Sequence, residues 1–264
     1  MKACGLERPD YESLAFGICD FVRNDQQDNG VYGRGWYPNG ECFYREGTIG
    51  CFMVPPMLEA FTRSKDSTYL SSATRAYDHY VSELKTKGYS TAGALDTWCI
   101  DKESSISLLR SALKLYNLTN NKEYLDDAVA VSYYLSTWLW HYNGVYPEND
   151  NFTQYNYKTF GATSVSVQHH HLDPYALFWV PEWFELTKLT GDSQWKEKAI
   201  AIWNNGCQLI ISTHSPILMA YPNADIYAID DTGAHVTPYE ETEHYQLTKY
   251  FLTHTEQMMK ELLG

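Results

Sequence analysis

The chain has 264 residues, a formal net charge of −13 at pH 7, 44% apolar residues and 20% charged ones. That length fits a single core, since one core remains workable up to roughly 300 residues, and the apolar share is too high for a disordered chain. The acidity, with no Lys/Arg cluster to interrupt it, excludes phosphate backbones and anionic lipid surfaces as partners, and no apolar run reaches the ~18 residues needed to span a bilayer.

In chain order, Met1–Asp10 lacks the basic-then-apolar pattern of a leader peptide, so a cytoplasmic protein is expected. A helix is predicted near 10–24. The loop 25–45 holds Asp28-Asn29-Gly30-Val31-Tyr32-Gly33-Arg34-Gly35-Trp36-Tyr37, which mixes flexible glycines with an arginine and large rings. Such a loop can set Trp36 against a sugar face and Arg34 or Arg45 against an acidic sugar. A helix pair follows at 46–64 and 67–86, opened by Glu46. After the loop 87–100, with Trp98 near its end, Asp101-Lys102-Glu103-Ser104 opens a second pair at 101–118 and 121–142. Helix N-termini favour anions, which suits a base or nucleophile; a general acid there needs burial to offset the field.

The loop 143–171 ends in Gln168-His169-His170-His171-Leu172-Asp173. In an extended segment His169, His171 and Asp173 share one side and His170 faces the other. Three readings stay open: a metal triad, a rim that contacts substrate hydroxyls or passes a proton, and loop-anchoring histidines. The rim is the reading adopted, with no metal and no cofactor expected, His170 as a proton-transfer group, and His169, His171 and Tyr175 as contacts. Asp173-Pro174 also has the form of a helix cap followed by proline. It opens a third pair at 172–190 and 192–213. A loop at 214–239 and an amphipathic helix at 240–262 close the chain; the acids of that loop read as solvated surface. The six cysteines lack CxxC spacing and read as free thiols.

The pairs repeat. Thr62 to Ala73, Asn117 to Ala128 and Lys188 to Ala199 each carry a polar turn, then Tyr69, Tyr124 or Trp195, then an alanine four residues on. The turn ends one helix; the aromatic and the alanine pack the next. Val54-Pro55 precedes Tyr69 by the interval at which Val180-Pro181 precedes Trp195, which predicts a shared kink; Arg110 stands there in the middle copy. Short turns within pairs and long loops between them put the loops, together with Glu46, Asp101, Glu103 and Asp173, at one end of the layer. The 22 tyrosines and 8 tryptophans exceed what core filling takes and suit a sugar cleft.

Hairpins such as Leu118-Thr119-Asn120-Asn121-Lys122-Glu123-Tyr124-Leu125 resemble those of the six-hairpin glycosidase superfamily over about residues 46–213. The resemblance implies an all-α fold, an α/α toroid of repeated helical hairpins, with residues 1–264 as one toroid-like domain. It further implies an oligosaccharide or glycoside substrate and catalysis by Asp/Glu, for which Asp101, Glu103 and Asp173 best match the positions. A complete toroid of that superfamily has twelve helices and this chain supplies about eight. The shortfall fits the C-terminal half of a larger protein, a ring closed by a second copy, or a shortened relative without activity. Two other functions stay open: a polysaccharide lyase that abstracts a proton with His170 or Tyr175 beside Arg45, and a non-catalytic helical module that binds glycans or serves as a scaffold.

Overall fold

The computed structural model describes residues 9–92, 99–154, 157–168, 172–206, 220, 226–230 and 233–263. The chain divides into two compact units, 1–208 and 209–264, where the sequence reading takes it as one.

The first unit opens with α1 (Pro9–Asn24), which packs on the first of three helical hairpins. These are α2 (Val54–Ser64) with α3 (Ser67–Lys87), α4 (Glu103–Thr119) with α5 (Lys122–Ser136), and α7 (Val180–Thr190) with α8 (Ser193–Gly206); a single turn, α6 (Asn151–Gln154), lies between the last two. In the inner layer α4 packs between α2 and α7, while α3 and α5 stand outside and each also touches the next inner helix. This is an arc of an α/α toroid. The shared proline does not kink a helix. In both copies a 3-10 turn, Ile49–Met53 or Tyr175–Trp179, hands over to an α-helix that starts at the valine, with Pro55 or Pro181 in its first turn. Proline is at home there because its absent N–H would have no helical partner.

The repeat extends to individual hydrogen bonds. At the three elbows Lys65, Asn120 and Gly191 are left-handed, with φ of 62°, 56° and 76°. The hydroxyls of Ser64, Thr119 and Thr190 each donate to the carbonyl four residues back and accept the N–H two residues on, from Asp66, Asn121 and Asp192. The side chains of those three residues in turn accept the N–H of Thr68, Glu123 and Gln194, capping the second helix. Below each elbow Ala73, Ala128 and Ala199 are fully buried, which lets the paired helices approach.

The core beneath is aromatic. Trp179, Trp183 and Trp195 are enclosed and meet edge-on and tilted, with centroids 5.8 and 5.7 Å apart; Tyr77 and Tyr80 fill the first hairpin. The exposed face of the inner helices is polar: Lys114 reaches Glu59 at 2.7 Å, Arg110 reaches Glu182 at 2.6 Å and Asn117 reaches Glu185 at 2.7 Å. Helix α5 ends at Ser136, six residues short of expectation, because Leu139 bridges to Thr163 and Trp140 exchanges backbone hydrogen bonds with Gly161 and Ala162.

In the second unit β7 (Tyr227–Asp230) pairs antiparallel with β8 (Gly233–Val236). The single helix expected at 240–262 is two, α9 (Glu243–Thr253) and α10 (Thr255–Leu263); the Thr242 hydroxyl caps the first. Among the described residues no helix is long and apolar enough to cross a membrane, and Cys19, Cys42, Cys51 and Cys99 take part in no disulfide.

Candidate functional site

Three short antiparallel ribbons decorate the first unit: β1 (Gly35–Trp36) with β2 (Cys42–Tyr44), β3 (Thr91–Ala92) with β4 (Cys99–Ile100), and β5 (Thr163–Ser164) with β6 (Leu172–Asp173). The last two lie at the N-terminal ends of α4 and of the 3-10 turn before α7, and join through a bridge from Asp101 to Ser166 and a bond from the Val167 N–H to the Ile100 carbonyl. Buried hydroxyls seal them to the helices. The Thr48 N–H donates to Thr91 Oγ1 and the Thr91 N–H returns a bond to Thr48 Oγ1, both 2.8 Å. Ser104 donates to the Thr91 carbonyl, and Ser105 meets Ser90 at 2.8 Å. Serine-rich α4 thus begins in a polar socket where its unpaired end groups find partners.

Asp101 is fixed at both ends. Its N–H donates to the Ser90 carbonyl at 3.0 Å, while its own carbonyl accepts the hydroxyls of Ser90 at 2.6 Å and Tyr134 at 3.0 Å. Its Oδ1 accepts the Glu103 N–H at 2.9 Å and caps the first turn of α4. Asp173 is held as firmly: Oδ1 accepts the Tyr175 N–H at 3.0 Å and the Thr163 hydroxyl, and Oδ2 accepts the Lys102 ammonium at 2.7 Å. Asp173 thus closes a local turn on the Tyr175 N–H, while the residue that precedes the 3-10 turn is Pro174 and the α-helix starts only at Val180. Asp101, Lys102 and Asp173 are buried, and Glu103 is half-buried.

Burial, not the helix field, governs Asp101 and Glu103. Desolvation raises the Asp101 carboxyl above the usual carboxylate range, against the lowering effect of the Glu103 N–H and the Lys102 charge. Glu103 is raised by desolvation first and the Asp101 charge second, with Asp173 adding in the same direction and Lys102 opposing. Glu103 is thus a half-exposed carboxyl whose proton affinity is raised by burial and by the acids beside it.

The loop residues fall differently. The Trp36 indole N–H donates to Asp25 Oδ2 at 2.8 Å, and Arg45 meets Asp25 Oδ1 at 2.7 Å, so one internal carboxylate ties both. Arg45 also lines, with exposed Glu46, an open pocket of about 470 Å³ shared with Gln27, Asp28, Asn29 and Val31. Tyr175 lies beside Asp173, its ring centroid 5.2 Å from the Lys102 nitrogen. Trp98, His169, His170 and His171 lie outside the described residues. Sequence reasoning missed Lys102, whose partner is 71 residues away, and Tyr134, which grips Asp101 from α5; neither sits in a recognisable motif.

No protein-family model and no curated protein matches the chain. In structure it is similar to a family 76 α-mannanase of Bacteroides thetaiotaomicron, at 16% identity and a TM-score of 0.42, covering 60% of this chain and 43% of that one. It is also similar to a family 76 mannosidase of the same organism, at 17% and 0.47, covering 80% and 53%. A third likeness is to an inactive α-1,6-mannanase variant of Salegentibacter in complex with α-1,6-mannotetrose, at 12% and 0.43, covering 76% and 71%. The chain thus spans about half the length of the first two structures it resembles.

Proposed function

We propose that this chain is a carbohydrate-active protein of the glycoside hydrolase type, acting on an oligosaccharide or glycoside. The observation that carries the reading is the gathering of Asp101, Glu103 and Asp173 at the N-terminal end of the inner helices, with Glu103 half-exposed and raised in proton affinity. In this reading Glu103 gives its proton to the glycosidic oxygen as the bond to the anomeric carbon breaks. Water adds to that carbon, and its proton passes to a carboxylate, Asp101 or Asp173. Tyr175, and His169 to His171 just before Asp173 in sequence, are candidates for contacts to sugar hydroxyls, with Trp98 and Trp36 for the ring face.

The test is turnover of a labelled oligosaccharide panel that includes α-1,6-mannotetrose. Glu103→Gln, Asp101→Asn and Asp173→Asn are each expected to lower turnover, Glu103→Gln by about 10²-fold or more. Equal turnover in all three variants, or none in the parent chain, sinks the assignment. A glycan-binding module without chemistry is the second reading, favoured by the enclosure of Asp101 and the full engagement of Asp173. It predicts retention of a glycan on an array with no product after long incubation.

A further inference from the structure

Lys102 is the one lysine among the largest fully buried side chains, and no step above uses it. Its ammonium has three acceptors: the Ser164 carbonyl at 2.7 Å, the Val165 carbonyl at 3.0 Å and Asp173 Oδ2 at 2.7 Å. An ammonium carries three N–H donors and no acceptor, so the charged form satisfies the set and a neutral amine would leave one acceptor bare. A buried cation is costly unless paired and fully hydrogen-bonded, which this one is, and the rings of Tyr175 and Trp138 add their faces at 5.2 and 5.8 Å. In sequence the residue stands between the two acids whose protons matter to the proposed reaction.

We propose that Lys102 is the positioning residue of the site: its ammonium clamps the segment 164–165 and Asp173 onto the first turn of α4 and stands as the fixed positive charge next to Glu103. The inference rests on the hydrolase reading for its purpose but not for its test. The described titratable groups that share the surroundings are Asp101, Glu103 and Asp173, the Tyr175 and Tyr134 hydroxyls, and the Cys99 thiol 4.0 Å from Asp101 Oδ2. Among them Lys102 is the sole cation, and it lowers the proton affinity that burial and the neighbouring carboxylates raise at both Asp101 and Glu103.

Carboxyl-carbon NMR titration of Glu103 in the full chain, compared with Lys102→Met and Lys102→Arg, provides the test. With methionine the Glu103 midpoint is expected to move up, by at least roughly threefold in proton affinity, and with arginine to return toward the parent. A tie that is merely structural would lower stability and leave the midpoint in place, which overturns the proposal. Should the methionine variant fail to fold, the parent chain decides through its Lys102 side-chain nitrogen. A slowly exchanging three-proton group at pH 7 supports the clamp, and a rapidly exchanging one refutes it. Absence of turnover in the parent would refute the hydrolase reading without moving either NMR result. Where turnover is found, the alkaline limb of the pH–rate profile should shift with the Glu103 midpoint.

Discussion

The three elbows make a prediction in which one structural position changes sign with the residue that fills it. Lys65, Asn120 and Gly191 occupy the same left-handed position, all exposed, and each N–H closes on the carbonyl four residues back, at 2.8, 2.7 and 2.9 Å. A Cβ in that conformation costs roughly 1–2 kcal/mol, while glycine gives up about 0.5–1 kcal/mol more chain freedom on folding. The difference favours glycine by about 0.5–1 kcal/mol. Lys65→Gly should therefore stabilise the first unit by that amount and Gly191→Ala destabilise it equally. Nothing lies within 4 Å of a Cβ built on Gly191, so the alanine meets backbone strain alone. Asn120→Gly should change little, because asparagine tolerates the left-handed region. Urea denaturation followed by far-ultraviolet dichroism reads the series as shifts of midpoint at constant slope, with a melting shift of about 2–4 °C per kcal/mol for a unit of this size. A midpoint that falls in Lys65→Gly, or fails to fall in Gly191→Ala, refutes the equivalence of the elbows.

Two further predictions concern the site and the core. Because burial raises Glu103, the folded chain binds more protons than the unfolded one between the unfolded carboxyl pKa, about 4, and the folded value. The neutral acid's contribution is complete below the unfolded pKa and is lost as pH rises through the folded one. Glu103→Gln, which keeps the neutral shape, should raise the urea midpoint at pH 7 and lose that advantage in the most acidic buffer where both chains fold; a lower midpoint at pH 7 contradicts the assignment. In the core, the Trp183 indole N–H donates to Ser132 Oγ at 3.0 Å, whereas that of Trp195 has no partner among the described residues. Trp183→Phe should then cost about 1–3 kcal/mol more than Trp195→Phe, since it also strands a buried hydroxyl. Equal losses in the two variants would dissolve the distinction.

The elbows were legible because their information is local: a left-handed residue, a cap and an aromatic lie within a few positions, three times over. The prolines were legible in register but not in effect. Pro55 and Pro181 were expected to kink a helix, whereas proline in a first turn is ordinary, and the 3-10 turn before it has no sequence mark of its own. The end of α5 was hidden for a different reason. Trp138-Leu139-Trp140 continues the apolar pattern, and what stops the helix is strand pairing with residues about twenty positions later. At the site, the first-turn acids could be read from Asp101-Lys102-Glu103, but their proton affinity could not, because burial outweighs the helix end. Trp36 and Arg45 could be singled out in the sequence, but that Asp25 reaches both could not be read there.

The hydrogen bonds of each elbow span five residues or fewer, so no distant partner is needed to form one. Local closure is entropically inexpensive and quick compared with long-range pairing. Hairpins one to three can therefore assemble in order of synthesis, each ready before the next leaves the ribosome. The seam between Lys102 and Asp173 waits until both the second and third hairpins exist. Pulse-labelled hydrogen exchange should find the elbow amides protected first and the Val167 amide, bonded to the distant Ile100 carbonyl, among the last. The end that carries Asp101, Glu103 and Asp173 would then be the final part of the first unit to set.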